Sequence, residues 1–562
     1  MANPNLVFCH GLAAALADLG VEHACVSPGS RNTPLIAGFA GEPRIRKWPI
    51  LDERSAGFFG IGLARATGKP VAVICTSGSA AAEYHPAVIE ARQSDAPLLV
   101  LTADRPPELR GVGAAQTIDQ IALYGSSPVL FVDAPPPDDS TTAQDGVALA
   151  TRVVAAARAE SGPVHMNLPF REPLLGVGSI SGPAPVTPPP TQEPPSPDLG
   201  RVARRLDGRR GLIVVGRSND PGLPTAVDAL AKATGAPVIA DPLSGLRYGA
   251  TSDLVLACGD ALATAGLLDE LVPDYVIRLG HIPTSKSVWG WLERNPQVLQ
   301  VLAGTAGQDA TRSASELVPH TSRTVATALA AAIESATSEQ WARSWLTADR
   351  IAAQAISESV DHLPFPNEPA IARLVMNHAS NGASITLGSS MPIRDVDTFG
   401  GKNQRNLRVF GNRGTNGIDG VASAATGAAA AGVQSIALLG DVSMFHDLNI
   451  LGTAAQLDLP ITYVVINNDG GGIFHFLPQA QPELLDPAVF ETYLGTPHGT
   501  DFVAVARALG IAAERIERGE DLAAALQTEP SGPGLYELRT DRSANLAAHR
   551  SAAAAVEAAL RS

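Results

Sequence analysis

The feature that most constrains this chain is a recurring unit: a short apolar run, a turn rich in glycine and polar residues, then an Ala-rich helical stretch. "HACVSPG" leads into "SRNTPLIAGFA", "KWPILDE" into "RSAGFFGIGLARA", and "VAVICTSG" into "SAAAEYHPAVIEA", with "PLLVLTADRPPE" after them. The plan returns near the C-terminus in "SITLGSS", "SIALLGD", "ITYVVINN" and "GLYELRT", and in the middle in "GLIVVG", "APVIAD", "LVLACGD" and "YVIRLG". Strands alternating with crossover helices pair in parallel, with helices on both faces of the sheet. The expected fold class is therefore α/β, in three mainly parallel sheets flanked by helices. Residues 181–197, "SGPAPVTPPPTQEPPSP", lack apolar periodicity and read as an extended linker. A second break lies near 340–368, where a predicted helix over 336–360 gives way to "HLPFPNEP". The 562 residues divide into domains at 1–180, 198–340 and 355–562, with the linker at 181–197.

Composition narrows the function. Hydrophobic residues make up 45% and charged residues 17%, enough for large cores. A net charge of −15 argues against general nucleic-acid or acidic-membrane binding, yet leaves room for a local basic pocket. Cys9, Cys25, Cys75 and Cys258 form no CxxC pair, which suits a reducing compartment better than a disulfide framework or zinc site. The N-terminus lacks a basic stretch followed by a long apolar one. No uninterrupted apolar run reaches the roughly 18 residues of a membrane span. A cytoplasmic protein without nucleic-acid or membrane partners is expected.

In open parallel sheets, ligands sit beyond the carboxyl ends of the strands. "SIALLGD" ends at Asp441 and "ITYVVINN" at Asn468, a spacing that fits strand, crossover helix and neighbouring strand. A carboxylate and a carboxamide then share one sheet edge, with the backbone carbonyl of Gly470 following. Three oxygens suit Mg²⁺, which takes its remaining ligands from phosphates and water. The "NNDGGG" turn also lets backbone N–H groups approach a diphosphate.

The "GD" and "NN" pair resembles the binding motif of thiamine-diphosphate (ThDP) enzymes. "SPGSRNTPLI", "DERSAGFFGIGLA", "TSGSAAA", "ADRPPEL", "GNRGTNGIDG", "GDVSMFHDLNIL" and "INNDGGGIFHFLP", in that order, are similar to one branch of them. That branch is the 2-succinyl-5-enolpyruvyl-6-hydroxy-3-cyclohexene-1-carboxylate (SEPHCHC) synthase family of menaquinone biosynthesis. The likeness is strong in the first and last blocks and loose in the middle one. It implies a transferase that decarboxylates 2-oxoglutarate and adds the succinyl carbanion to isochorismate in a 1,4-addition. The first block becomes a pyrimidine-binding domain, the last a diphosphate-binding domain. ThDP would lie between the first block of one subunit and the last of another, in a homodimer at least and commonly a homotetramer.

Site residues follow from the same resemblance. Glu53, placed at the end of the strand "KWPILDE", becomes the catalytic glutamate beside the cofactor's aminopyrimidine, where it favours the imino tautomer. Asp441, Asn468 and Gly470 become ligands of Mg²⁺ or Mn²⁺. Ser390 and Ser443 lie near the cofactor, Ile418 is the apolar wedge that bends it, and Ile473 packs on its pyrimidine. Ser30, Arg31, Arg105, Gln116, Lys286, Arg394 and Arg413 line the substrate site, with Phe474 and Leu477 as apolar walls; Arg31 and Gln116 also count as catalytic. Both substrates are dicarboxylates, which planar arginine forks recognise well. Ser30 and Arg31 precede a Thr-Pro helix start, where free N–H groups favour anions. The family's "GANQ" reads "GAAQ" here, with Ala115 beside Gln116.

Other readings stay open at this stage. An acetolactate-synthase-like ThDP enzyme would need fewer carboxylate-binding cations. A nucleotide-binding regulator would need a phosphate motif, and the chain has no GxxxxGK[ST], no HExxH and no complete GxGxxG after a strand.

Overall fold

The computed structural model describes residues 3–176, 186, 196–249, 252–304, 308–528 and 530–562. The 181–197 linker lies outside these residues except at Val186, Ser196 and Pro197.

Among the described residues three sheets form, and their strands pair only in parallel. The first contains β1 (His23–Val26), β2 (Arg46–Pro49), β3 (Val71–Cys75), β4 (Leu98–Asp104), β5 (Leu130–Asp133) and β6 (Val164–Pro169). The second contains β7 (Gly211–Val215), β8 (Val238–Ala240), β9 (Tyr275–Leu279), β10 (Leu299–Ala303) and β11 (Glu316–Val318). The third contains β12 (Ser384–Leu387), β13 (Arg408–Gly411), β14 (Ser435–Gly440), β15 (Ile461–Asn467), β16 (Ala512–Arg515) and β17 (Gly534–Arg539).

The first sheet runs β2-β1-β3-β4-β6-β5 and the third β13-β12-β14-β15-β17-β16, so the two are topological copies. The middle sheet differs, running β11-β10-β9-β7-β8. In both copies the order reverses at the first strand, between β1 and β3 and between β12 and β14. Crossovers leave to opposite faces there, and a crevice opens beyond the strand ends.

One core joins the first and third sheets. Phe58, Phe59, Val73 and Val100 pack in a single cluster with Val421, Ala422, Leu439 and Tyr463. Helices Glu53–Thr67 and Val421–Ala429 cross at its centre. A Cβ at Gly62 would lie 1.8 Å from the Ala424 carbonyl oxygen, and one at Gly427 would lie 2.0 Å from that of Phe59. The backbones can approach this closely only where no side chain intervenes. Helix Glu339–Asp361 bridges the second break, with Trp341 and Trp345 packed in one cluster with Ala552 and Val556 of the C-terminal helix Arg542–Arg561.

One expectation is corrected. "KWPILDE" does not run as a strand to Glu53: β2 stops at Pro49. Pro49 lies in the outermost strand with its nitrogen turned away from β1, and the next residue, Ile50, still donates its N–H to the Val26 carbonyl at 3.1 Å before the chain turns off. Asp52 then caps a helix, its Oδ1 accepting from the Ser55 N–H at 2.9 Å, and Glu53 is the first helical residue. Likewise β14 stops at Gly440, and Asp441 opens the helix Asp441–His446. No helix among the described residues is long and apolar enough to cross a membrane.

Candidate active site

Parallel pairing of β14 with β15 sets Gly440 opposite Ile466, so Asp441 and Asn468 leave the same sheet edge one residue apart. The buried Asp441 carboxylate accepts the Gly470 N–H at 2.9 Å through Oδ2 and the Val442 N–H at 2.7 Å through Oδ1. His498 Nε2 stands 3.3 Å from Oδ2. Burial pushes this carboxyl up, while the two N–H groups and His498 pull it down. Gly470 has φ +135°, and a Cβ there would lie 1.8 Å from the Gly495 carbonyl oxygen, so only glycine fits.

Asn468 donates its Nδ2 to Glu368 Oε1 at 2.9 Å. Its Oδ1 is buried without a partner among the described residues, and the residue lines a cavity of about 320 Å³ together with Asp441 and Gly470. Glu368, 1% exposed, is the first residue of helix Glu368–His378. It also accepts from Thr540 Oγ1 and Asn545 Nδ2. Burial, then Asp395, push its carboxyl up to about 8 against the pull of Asn468 and Thr540.

The same cavity gathers Ser390, Arg394, Arg413, Ile418, Ser443, Ile473 and Phe474. Ser390 has φ +76°, a conformation rare outside glycine and met at functional sites. Its carbonyl accepts from Arg394 Nη1. Arg413 follows β13 in a turn that Glu90 grips, accepting from the Gly414 and Thr415 N–H groups at 3.1 and 2.8 Å. Burial pulls both guanidinium groups down, and Arg394 adds repulsion at Arg413, which marks a place for an anion. Ile418 keeps 37% of its surface exposed, as an apolar wedge would. Lys286 and Leu477 line an adjoining cavity of about 240 Å³ that shares Met391, Arg394 and Ile473 with the first.

A second group forms at the matching edge of the first sheet, beyond β1, β3 and β4. Arg105 Nη1 donates to Ser77 Oγ at 2.5 Å, and Gln116 Nε2 to the Ser77 carbonyl at 3.0 Å. Burial and the charge of Arg31 both pull Arg105 down. Arg31 itself spends Nη1 on the Phe170 carbonyl and Nη2 on Glu172, leaving a buried Nε without a partner among the described residues. Ser30 beside it is exposed.

Glu53 lies in neither group. It opens onto a wide cavity of about 750 Å³ with Asp52, Arg54, Glu83 and Asn449, and that cavity shares no lining residue with the one around Asp441. Burial, then Asp52 and Glu83, hold its carboxyl above the usual range, against its own backbone N–H. One chain thus presents the oxygen donor set and the Glu53 carboxyl in separate cavities.

The residues fit a metal-bound diphosphate. No cluster of three His, Cys, Asp or Glu suited to a metal occurs among the described residues. The donors are instead one carboxylate, one unpartnered carboxamide oxygen and one glycine carbonyl, a hard oxygen set for a Mg²⁺-sized ion that keeps phosphate and water ligands. Sequence reasoning missed Glu368, Ser77 and His498. Ser77 stood within the quoted "TSGSAAA", while only an Asn-Glu-Pro helix start marks Glu368 and only a polar turn marks His498.

Residues 8–123 match the family described as "Thiamine pyrophosphate enzyme, N-terminal TPP binding domain", and residues 400–536 its C-terminal counterpart. A SEPHCHC synthase of Chloroflexus aurantiacus is 40% identical, over 96% of this chain and 94% of its own. Those of Geobacillus kaustophilus and Myxococcus xanthus are 40% and 39% identical, over 98% and 100% of this chain and 97% and 98% of theirs. The X-ray structure of a Mycobacterium smegmatis protein assigned to the thiamin diphosphate-dependent enzymes superposes with a TM-score of 0.70 at 18% identity, covering 96% of this chain and 100% of that one, a likeness of fold. With both cofactor-domain matches at the two half-sites and near-full-length identity to these synthases, the chain belongs to the 2-succinyl-5-enolpyruvyl-6-hydroxy-3-cyclohexene-1-carboxylate synthase family of ThDP-dependent enzymes.

Proposed function

We propose that the chain decarboxylates 2-oxoglutarate and adds the succinyl carbanion to isochorismate, releasing CO₂ and forming SEPHCHC in menaquinone biosynthesis. The observation that carries this reading is the division of the site. The oxygen set of Asp441, Asn468 and Gly470, with Arg394 and Arg413 in the same cavity, stands apart from Glu53. The working site then takes its diphosphate end (355–562) from one copy and its pyrimidine end (1–180) from another. Apolar side chains exposed near both ends support the pairing: Leu51 and Val112 on one, Phe445 and Tyr493 on the other. We assign a homodimer at least, a homotetramer as the assembly, and a cytoplasmic location.

Asp441, Asn468 and Gly470 hold Mg²⁺ or Mn²⁺ against the cofactor's diphosphate, and the glycine turn offers it backbone N–H groups. Bound ThDP supplies the electron sink for decarboxylation. Glu53, whose carboxyl binds its proton more tightly than an exposed one, holds that proton against a pyrimidine ring nitrogen. Ile418 and Ile473 give the cofactor's rings an apolar seat. Arg394, Arg413 and Lys286 from one copy, and Arg31, Arg105, Ser30 and Gln116 from the other, meet the substrate carboxylates and orient the two reactants. Phe474 and Leu477 wall the cavity against water.

The test follows isochorismate consumption, CO₂ release and product mass with 2-oxoglutarate and with pyruvate. Pyruvate lacks the distal carboxylate, so its turnover should fall about 10- to 100-fold, the worth of one charge-assisted contact. A faster reaction with pyruvate would replace this reading with the acetolactate-synthase-like one.

A further inference from the structure

We infer that Glu368 is a positioning residue for the metal half-site: its carboxylate holds the Asn468 carboxamide in the one orientation that turns an oxygen toward the cation. This rests on the reading that Asp441, Asn468 and Gly470 hold a divalent ion.

A carboxamide has two ends of nearly equal size and opposite polarity. Turned one way, Asn468 offers an oxygen to a cation; turned the other, it offers N–H groups that repel one. Nothing in the shape of the side chain chooses between them, so a hydrogen-bond partner must. Glu368 is that partner. Its Oε1 accepts from Asn468 Nδ2 at 2.9 Å and from Thr540 Oγ1 at 3.0 Å, and its Oε2 accepts from Asn545 Nδ2 at 2.7 Å. At 1% exposure, water does not compete for these bonds. Thr540 and Asn545 fix the carboxylate, the carboxylate fixes Nδ2, and Oδ1 is left buried, unpartnered among the described residues and on the cavity wall. Flipping Asn468 would set Oδ1 against Oε1, which already accepts from Thr540, and N–H groups against the cation, two repulsions at once. Outer partners that orient ligands in this way act through the ligand and not on the substrate.

Glu368→Met tests the inference by removing the acceptor while keeping most of the volume. Asn468 Nδ2 then loses this partner, and the bond that selects the metal-facing orientation of Oδ1 is gone. Glu368→Gln is the conservative rescue: its oxygen can still accept from Asn468 and Thr540, while its Nε2–H faces Asn545, whose buried Oδ1 has no partner among the described residues and can turn to accept. In the double variant Glu368→Gln/Asn468→Asp the two oxygens of the introduced carboxylate are equivalent, so one accepts from the carboxamide and the other serves the metal. The probe is Mn²⁺, titrated by loss of its free electron-paramagnetic-resonance signal into full-length protein at saturating ThDP, beside melting of the metal-free chain. Glu368→Met should lower Mn²⁺ affinity about 10- to 100-fold, while Glu368→Gln and the double variant should stay within about threefold of wild type. Thr540→Ala, which leaves the bonds of Glu368 to Asn468 and Asn545 in place, should lower it less than Glu368→Met does. Wild-type Mn²⁺ affinity in a folded Glu368→Met, or a loss as large as that in a folded Glu368→Gln, would overturn the inference. If Glu368→Met does not fold, a loss of about 10-fold or more in the folded double variant overturns it and affinity near wild type upholds it. Wild type and Asp441→Ala, run alongside, separate the causes. If Asp441→Ala binds Mn²⁺ as wild type does, the metal reading fails with everything built on it; if only Glu368→Met is silent, the positioning role fails alone.

Discussion

Asp441 holds the Gly470 turn and, on the reading proposed above, would join Asn468 in offering oxygen to a cation. Removing its side chain should leave the fold in place, because the bonds it makes are confined to Val442, Gly470 and His498. In Asp441→Ala, calorimetric ThDP affinity in the presence of Mg²⁺ should fall by about 10- to 100-fold or more. Unchanged binding would remove Asp441 from the metal. Glu53→Gln should keep ThDP binding but slow C2–H/D exchange on bound ThDP by about 10²- to 10⁴-fold, read by NMR after acid quench. The same variant carries a pH signature. The Glu53 carboxyl is raised in the folded chain, so its contribution to stability is full below the ordinary carboxylate range and is lost as pH rises through the raised folded value. Glu53→Gln should therefore melt above wild type at about pH 8, with the gap closing as pH falls toward about 4. A gap that widened toward acid would contradict the burial argument.

At the scale of elements, the crossing of Glu53–Thr67 with Val421–Ala429 depends on glycine. Gly62→Ala would force its Cβ against the Ala424 carbonyl and drive the helices apart, costing about 1–3 kcal/mol or more, seen as a lower Tm. In the first sheet, His165 on β6 lies between Tyr124 and Phe131 and bonds Thr102 on β4 at 2.9 Å. Burial drives its pKa down to about 3. The unfolded chain gains a proton there below about pH 6.5 while the folded chain does not, so stability present above that pH is lost on the way to about 3, near 1.4 kcal/mol per unit. The Tm drop between about pH 7.5 and pH 5 should be smaller in His165→Gln than in wild type. Elements of this kind were legible in different degrees. Apolar runs ending in "GD" and "NN" located the β14 and β15 edge because burial on both sheet faces demands such runs. "WPIL" reads as strand and puts Glu53 on the wrong element, because the Asp52 cap that starts a helix there shows only in the folded chain. Glu368 could not be read at all: its partners lie 100, 172 and 177 residues away, and no local pattern encodes a bond formed only by tertiary packing.

For the whole molecule, the first and third sheets are copies in strand order and share a core, yet the groups they present open into different cavities. On the reading proposed above, a site needing both Glu53 and Asp441 would be completed by a second copy in a closed two-fold arrangement. Complementation tests this most directly. Glu53→Gln and Asp441→Ala are unfolded together, refolded as an equal mixture and assayed with 2-oxoglutarate and isochorismate beside each variant alone, at a ThDP concentration that saturates wild type but not Asp441→Ala. In a mixed dimer one site carries both substitutions and the other carries neither. Random pairing makes about half the dimers mixed, so about a quarter of wild-type activity should return. If the mixture stays as inactive as its components while wild type recovers after the same treatment, each site is built within a single chain and the division of the site proposed here is wrong.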